Sequence, residues 1–510
     1  MQKSTTTLAL LVFATIALTA SLAFGADGGP QGTDDLLNSV FAKINHVVGT
    51  NGVFFNVLFF SDDLSLPFVV VWLVFFGVFF TARLGFVNFR LFKHAFKVLA
   101  GKYDDPKNPG EITHFKALTS ALSATVGLGN IAGVAFAIDR GGPGAVFWLW
   151  TTAFFGMTLK YSECTLAQRY RNVDDQGHVL GGPMLYLRDG FAKVNRPGLG
   201  RFLAAVFSTL CIFASFGGGN MFQANQTFTI LKGQFSLLES PWVVGFFLAF
   251  FIAIVIIGGI RRIGEVTSLM VPGMCGFYSI VCLVIIIANV GDVPAMFASI
   301  FREAFTAEAG WGAVVGVVIQ GVQRASFSNE AGMGSAAIAH SAARTDNPVH
   351  EGVVGLIEPF VDTHVVCTMT SLAILITGAH THGLQGIEIT AYAFGTLGDV
   401  LPMLLAVAAC VFAYSTAISW SYYGERAVEY LFGYGLPTKI YRIVFVLCAF
   451  IAPAVSIVEV LNFSDTMLLG MAIPNAIGML VLLPELRKLT TDYVQRLKSG
   501  ELKEYEKSKA

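Results

Sequence analysis

Two short stretches hold the residue types best suited to binding a small ion or zwitterion. SATVGLGNIAGVA begins at Ser123, and SNEAGMGSAAIA begins at Ser328. In each, glycines interrupt an apolar run that is otherwise long enough for a helix. Gly127 and Gly129 remove side-chain bulk and permit a left-handed backbone. A break there frees N–H groups that can hold an anion such as a carboxylate, helped by the N-terminus of a half-helix. It also frees C=O groups that can hold a cation or an ammonium group. An amino acid carries both charges on one carbon. Asn130, Ser328, Asn329 and Glu330 flank the breaks, and polar groups in an apolar setting are costly and mark function. Close helix packing through small residues is the competing account of the same glycines.

The elements that must position these residues follow from composition. Of 510 residues, 54% are hydrophobic and 13% are charged, against roughly 25% charged in soluble proteins. Lys and Arg number 33 against 34 Asp and Glu, for a net charge of −1. That balance excludes an ordinary basic nucleic-acid binder. The seven cysteines lie in apolar surroundings without a CxxC, so neither a disulfide framework nor a structural zinc site is expected. What remains is an all-α polytopic membrane protein.

A helix needs about 20 apolar residues to cross a bilayer, and eleven stretches qualify. A preceding helix lies at 65–86. Core helices one to ten lie near 116–139, 143–169, 203–231, 242–260, 267–289, 312–342, 350–378, 400–431, 438–458 and 464–484. Residues 1–25 have one Lys, an apolar stretch and small residues at Ala23 and Gly25, the pattern of a signal peptide. An uncleaved signal anchor is the alternative. Residues 26–64 then form an extracytoplasmic segment. With the preceding helix entering from outside, the first inner loop holds seven Lys and Arg, the second six and the tail 485–510 seven. The outer segments hold only Lys43, Arg140, Lys232 and Arg302. This asymmetry meets the positive-inside rule. It places the chain in the inner (plasma) membrane with its tail in the cytoplasm.

An offset of 205 residues superposes the two glycine stretches. It pairs Gly127 with Gly332, Gly129 with Gly334, Leu122 with Phe327, and Pro143 with Pro348. Core helices one and six begin on opposite sides of the membrane. The halves 116–289 and 312–484 are therefore five-helix repeats of opposite topology, each opened by a broken helix. Paired interrupted spans of this kind mark a transporter binding site.

The motifs FKALTSALSATVGLGNIAGVA, GGPGAVFW, GGPMLYL, GGIRRIGEVTSLMVPGM, FSNEAGMGSA and FAYSTAISWSYYGE, in this order, resemble those of the alanine/glycine:cation symporter family. The resemblance runs from about residue 65 to 484. It implies the leucine-transporter fold of inverted five-helix repeats and sodium- or proton-coupled uptake of a small neutral amino acid, alanine or glycine, by alternating access. The family commonly has Thr where this chain has Leu128. The change bears on substrate range, because VGLGN also looks like the broken first helix of the neurotransmitter:sodium symporters, whose backbone N–H groups hold the carboxylate.

The resemblance implies that substrate lies against Gly127, Leu128, Gly129 and Asn130, facing Phe327, Ser328 and Asn329. Gln223 on helix three offers a neutral amide suited to a zwitterion, although helix–helix bonding through Asn220, Gln223 and Asn225 would use the same group. Trp420 walls off the side-chain end unless it is an interfacial anchor, and Phe216 is a further wall. Ser415 and Thr416 offer hydroxyls to sodium, completed by the carbonyls of Ser123 and Val126, since hard cations take oxygen ligands. Back-bonding to the preceding turn is the alternative for both hydroxyls.

Glu358 and Asp362 are four apart and share a helix face. Lys160 and Glu163 are one turn apart, and Arg324 and Glu330 flank the second break. Ion handling and structural pairing are equal readings for these charges, and only Glu330 is carried as an outside candidate for the site. His380 and His382 in an outer loop read as solvated surface. No HExxH, GxSxG or paired catalytic Asp motif occurs in the spans, so an enzyme is not expected. No cofactor is expected beyond sodium as co-substrate. A transporter of another small zwitterion and a passive channel are the other readings. An internal inverted repeat fits alternating access better than a filter of identical subunits.

Overall fold

The computed structural model describes residues 33–48, 56–58, 65–175, 177–235, 238–256, 259–306, 311–502 and 504. The expected signal peptide and most of the segment 26–64 lie outside the described residues. All eleven expected spans correspond to helices. Six are long and apolar enough to cross a membrane without interruption: helix three (Pro197–Gln234), helix five (Ile260–Ala288), helix seven (Pro348–Ile376), helix eight (Val400–Phe432), helix nine (Leu436–Ala454) and helix ten (Ile457–Val481). Helix one is a pair, His114–Thr125 and Gly129–Gly141, bent by 50° at its break. The preceding helix (Phe68–Arg83) and helix four (Pro241–Ile256) are shorter apolar helices. Helix two is Gly144–Tyr170, and helix six is Trp311–Asn329 followed, after a turn, by Ala336–Ser341.

The preceding helix shows why such segments pack as they do. Val69, Val70, Leu73, Phe76 and Phe80 recur at helical spacing and are buried, whereas Phe75 and Val78 point outward. Gly77 sits where an added Cβ would come 3.0 Å from Phe155 Cβ, so it lets this helix lie directly on helix two. Helix two in turn packs on six and seven, three packs on eight, and four packs on nine.

The two halves run in opposite directions. His114 opens helix one and His340 closes helix six, yet both bond the carboxylate of Glu351 at the start of helix seven. The beginning of helix one and the end of helix six therefore share one face of the molecule. Arg344 N, just after helix six, also donates to Ile112 O just before helix one, at 2.7 Å. The tail begins as a docked helix. Leu483–Ser499 forms a helix whose buried Leu483, Leu486 and Tyr493 dock it on the bundle. Thr490 bonds Tyr161 of helix two at 2.8 Å, and Tyr493 bonds His94 at 2.6 Å.

Helices two and seven meet at Gly352, where an added Cβ would fall 1.9 Å from Thr165 Oγ1 and 2.8 Å from Tyr161 O. A Gly352→Leu change should cost at least the ~1–3 kcal/mol typical of overpacking and lower the melting temperature in detergent. Gly276→Leu, where an added Cβ meets nothing within 4 Å, should leave the melting temperature unchanged.

Candidate functional site

The two breaks are built differently. Helix one leaves helical geometry at Val126, whose ψ is 87°, and re-enters it at Leu128. Gly127 and Gly129 do not take the left-handed backbone expected for them, since neither is among the positive-φ residues. Their lack of a side chain serves close approach instead. A Cβ on Gly127 would stand 2.4 Å from Thr416 Oγ1 and 3.2 Å from Gln223 Oε1, and one on Gly129 3.4 Å from Phe327 Cδ1. The second break does use left-handed geometry, with φ of 55° at Glu330, 89° at Gly332 and 86° at Gly334.

The freed N–H groups of helix one have side-chain partners. Gly127 N donates to Asn130 Oδ1 at 2.9 Å, and Leu128 N donates to Gln223 Oε1 at 3.1 Å. Both acceptors are neutral amide oxygens, which an incoming carboxylate can replace with a stronger, charge-assisted bond. Gln223 Nε2 donates to Gly218 O at 3.0 Å, whereas Asn220 and Asn225 bond backbone carbonyls of the segment around helix nine. Gln223 alone of the three thus reaches the break.

One carboxylate connects the two breaks. Asn130 Nδ2 donates to Asp362 Oδ1 at 2.6 Å, and Ser328 Oγ donates to Asp362 Oδ2 at 2.7 Å. Thr363 Oγ1 also donates to Oδ2 at 2.8 Å and accepts from Asn329 Nδ2 at 3.0 Å. Asp362 lies in a π-helical stretch, Phe360–Cys367, and is fully buried. The sequence reading put Asp362 and Glu358 on one face but assigned neither to the site. Their partners are separate, because Glu358 pairs with Lys160 at 3.1 Å and with His340 at 3.5 Å. Carboxylates four residues apart in a span were the available signal; which of them faces the breaks depended on the π-helical stretch that begins between them.

A cavity of about 10 Å³ lies between the breaks, lined in part by Gly129, Gly218, Gln223, Phe327, Glu330 and Trp420, room for roughly one water. Trp420 Nε1 donates to Glu330 Oε1 at 3.0 Å, and Ser335 bonds the other oxygen. Glu330 is thus tied to Trp420 and not to Arg324, which pairs with Asp465 of helix ten. Phe327 stacks edge-on against Phe222, with centroids 4.9 Å apart. Phe216 is placed elsewhere: its ring stacks on Tyr441 of helix nine at 5.4 Å, because the π-helical turn Gly217–Met221 intervenes between it and Gln223.

Helices one and eight exchange bonds beside this cavity. Ser123 Oγ donates to Ser415 O at 2.8 Å, and Thr416 Oγ1 donates to Ser123 O at 3.0 Å. Ser415 Oγ turns back to Phe412 O at 2.9 Å, so the two hydroxyls behave differently. Four oxygens converge there, namely the Ser123 hydroxyl and carbonyl, the Ser415 carbonyl and the Thr416 hydroxyl. Val126 follows within one turn, at the mouth of the break. Such a buried, uncharged oxygen set suits a hard monovalent cation.

The sequence profile of the sodium:alanine symporter family matches residues 54–507. The sodium/alanine symporter AgcS of Methanococcus maripaludis is 45% identical over 421 residues, which span 82% of this chain and 92% of AgcS. The probable sodium/glutamine symporter GlnT of Bacillus subtilis is 34% identical over 446 residues, 86% of this chain and 90% of GlnT. Among solved structures, MhsT in complex with L-phenylalanine superposes with a TM-score of 0.51 at 13% identity, covering 74% of this chain and 99% of that chain. That likeness assigns the inverted five-helix fold of the leucine transporters.

Asp362 accepts from three side chains. Asp362→Asn keeps the shape but turns one acceptor oxygen into a donor. Bonds to charged groups are worth about 1.5–3 kcal/mol each, so the variant should melt several degrees lower. Asp362→Glu should not restore the loss, because the longer arm displaces both oxygens.

Proposed function

Since the chain belongs to the sodium:alanine symporter family, we propose that it takes up a small neutral amino acid, alanine or glycine, with sodium by alternating access. The observation that carries this reading is the junction of two broken helices at Asp362, with an oxygen cluster from Ser123, Ser415 and Thr416 beside it. The amino-acid carboxylate displaces the Asn130 and Gln223 amide oxygens from the N–H groups of Gly127 and Leu128. Gly129, Ser328 and Asn329 border the same space. Phe327 and Trp420 close over the side chain, so a methyl group or hydrogen fits with the least rearrangement. Sodium is held by Ser123, Val126 and Thr416, with Ser415 contributing its carbonyl.

The membrane setting belongs to the same proposal. The basic loops and the docked tail face the cytoplasm of an inner (plasma) membrane, and the segment before the preceding helix faces outward. Sodium binds between helices one and eight, which belong to opposite halves. It therefore stabilises the packing of the halves to which it binds more tightly.

Uptake of radiolabelled alanine into proteoliposomes, with an imposed sodium gradient and competing amino acids, tests the reading. Uptake indifferent to sodium, or competed equally by leucine, would overturn it. Gly127→Ala should abolish uptake, because its Cβ collides with Thr416 and Gln223. Gly129→Ala, whose Cβ lies 3.4 Å from a ring that can turn, should retain most of it.

A second pair of variants tests the ion site. Thr416→Val should remove most of the sodium effect on alanine affinity, for which about 5–150-fold is the usual scale of coupling. Ser415→Ala should keep that effect, since its hydroxyl bonds Phe412 O. Alanine affinity measured with and without sodium in both proteins distinguishes the two hydroxyls.

A further inference from the structure

Away from the candidate site, six ionisable groups form a row in which acidic and basic side chains alternate. Asp104 Oδ1 lies 3.0 Å from His114 Nε2, and His114 Nδ1 contacts Glu351 Oε1. Glu351 Oε2 contacts His340 Nδ1, and His340 Nε2 lies 3.5 Å from Glu358 Oε2. Glu358 Oε1 then lies 3.1 Å from Lys160 Nζ. Each histidine uses both ring nitrogens, and each of the two glutamates uses both oxygens. Five of the six side chains are fully buried, and only Asp104 reaches solvent, at 26% exposure.

Burying so many charges is costly, and a structural clasp needs one pair, not a row. Every interior member has a neighbour within 3.5 Å on each side. The two imidazole contacts of Glu351 are hydrogen bonds, and the other three links are ion-pair contacts that side-chain rotation must align for a proton to hop. Imidazole serves here because it binds a proton on one nitrogen while releasing one from the other. The chain neighbours of Asp104, Tyr103 and Asp105, line with His350 a cavity of about 1180 Å³ beside the tail helix, on the face of the basic loops. Carboxylates of Asp105, Asp346, Asp492, Glu501 and Glu504 outnumber Arg496 there, which raises the local concentration of cations. Other charged groups border the row. Glu163 and Glu330 act electrostatically on Lys160, Asp362 on Glu358 and Arg171 on Glu351, and the His350 ring meets that of His114 edge-on with centroids 6.0 Å apart.

We propose that this row is a proton-binding relay filled from the basic-loop side alone, and that its occupancy is linked to transport. The linkage rests on the symport reading above. A proton from water in the cavity binds Asp104 and passes to His114 Nε2 as His114 Nδ1 gives its own to Glu351 Oε1. A half-turn of the Glu351 carboxyl presents it to His340 Nδ1, and His340 Nε2 releases a proton to Glu358. Only N–H and O–H bonds form and break, and one proton is gained in total. Glu358 lies four residues before Asp362 on helix seven, so the charge change occurs one turn from the carboxylate that joins the breaks. By linkage, a proton that binds one conformation more tightly shifts the population toward it.

The full chain in liposomes, with orientation scored by protease cleavage of the tail, tests this. Sodium-driven alanine uptake is measured while pH is changed from about 6 to about 8 on one face at a time, the range in which histidine relays titrate. The expected result is a change of about fivefold or more from the tail face, the low end of usual coupling, and little from the other. Asp104→Asn and His340→Gln should flatten the tail-face response while sodium-dependent alanine binding persists. An equal response from both faces, or an unchanged tail-face response in both variants, overturns the proposal. If His340→Gln does not fold, Asp104→Asn at the exposed mouth decides alone. If no protein moves alanine, the symport reading falls, and the relay is judged by infrared difference spectra between the two pH values. A titrating carboxyl band lost in Glu351→Gln supports it, and identical spectra overturn it.

Discussion

A chain that unwinds inside a membrane must find a partner for every backbone group it frees. Here that demand is met by side chains from other helices, so the breaks cannot exist without the surrounding bundle. Gln223 of helix three and Asn130 hold the N–H groups of the first break, while Thr416 of helix eight reaches a carbonyl at its edge. Asp362 gathers Asn130 from one break and Ser328 from the other. The arrangement of helices one, three, six, seven and eight follows from satisfying these groups.

Charges buried around the breaks are distributed by the same logic. Arg324 and Asp465 join helices six and ten. Lys160 and Glu358 join helices two and seven. Removing one partner of a buried pair costs about 3–5 kcal/mol, so Lys160–Glu358 holds the two halves in register, while Arg324–Asp465 fixes helices six and ten within the second half. None of these four residues lines the cavity, whose lining is mostly uncharged.

Much of the fold was legible because the membrane leaves few choices: apolar length located the helices. Glycine-interrupted repeats at an offset of 205 pointed to both breaks. What was not legible depended on local backbone. The equivalence of Gly127 with Gly332 hid two different uses, close approach in one half and positive φ in the other. Phe216 sits seven residues before Gln223 in the sequence, two helical turns that would stack both on one face. The π-helical turn between them changes that register. Asp362 was hidden in the same way by the π-helical stretch Phe360–Cys367.

The contact of Gly127 with Thr416 and Gln223 has a bearing on how such a sequence can drift. Three residues on three helices share a space that admits no extra atom. Growth at any one of them is tolerated only if another shrinks at the same time. Position 127 should therefore vary together with 223 and 416 in natural sequences, and libraries that randomise one of them at a time will recover mostly inactive clones. New substrate range is reachable through paired changes across helices, which single-step selection rarely samples.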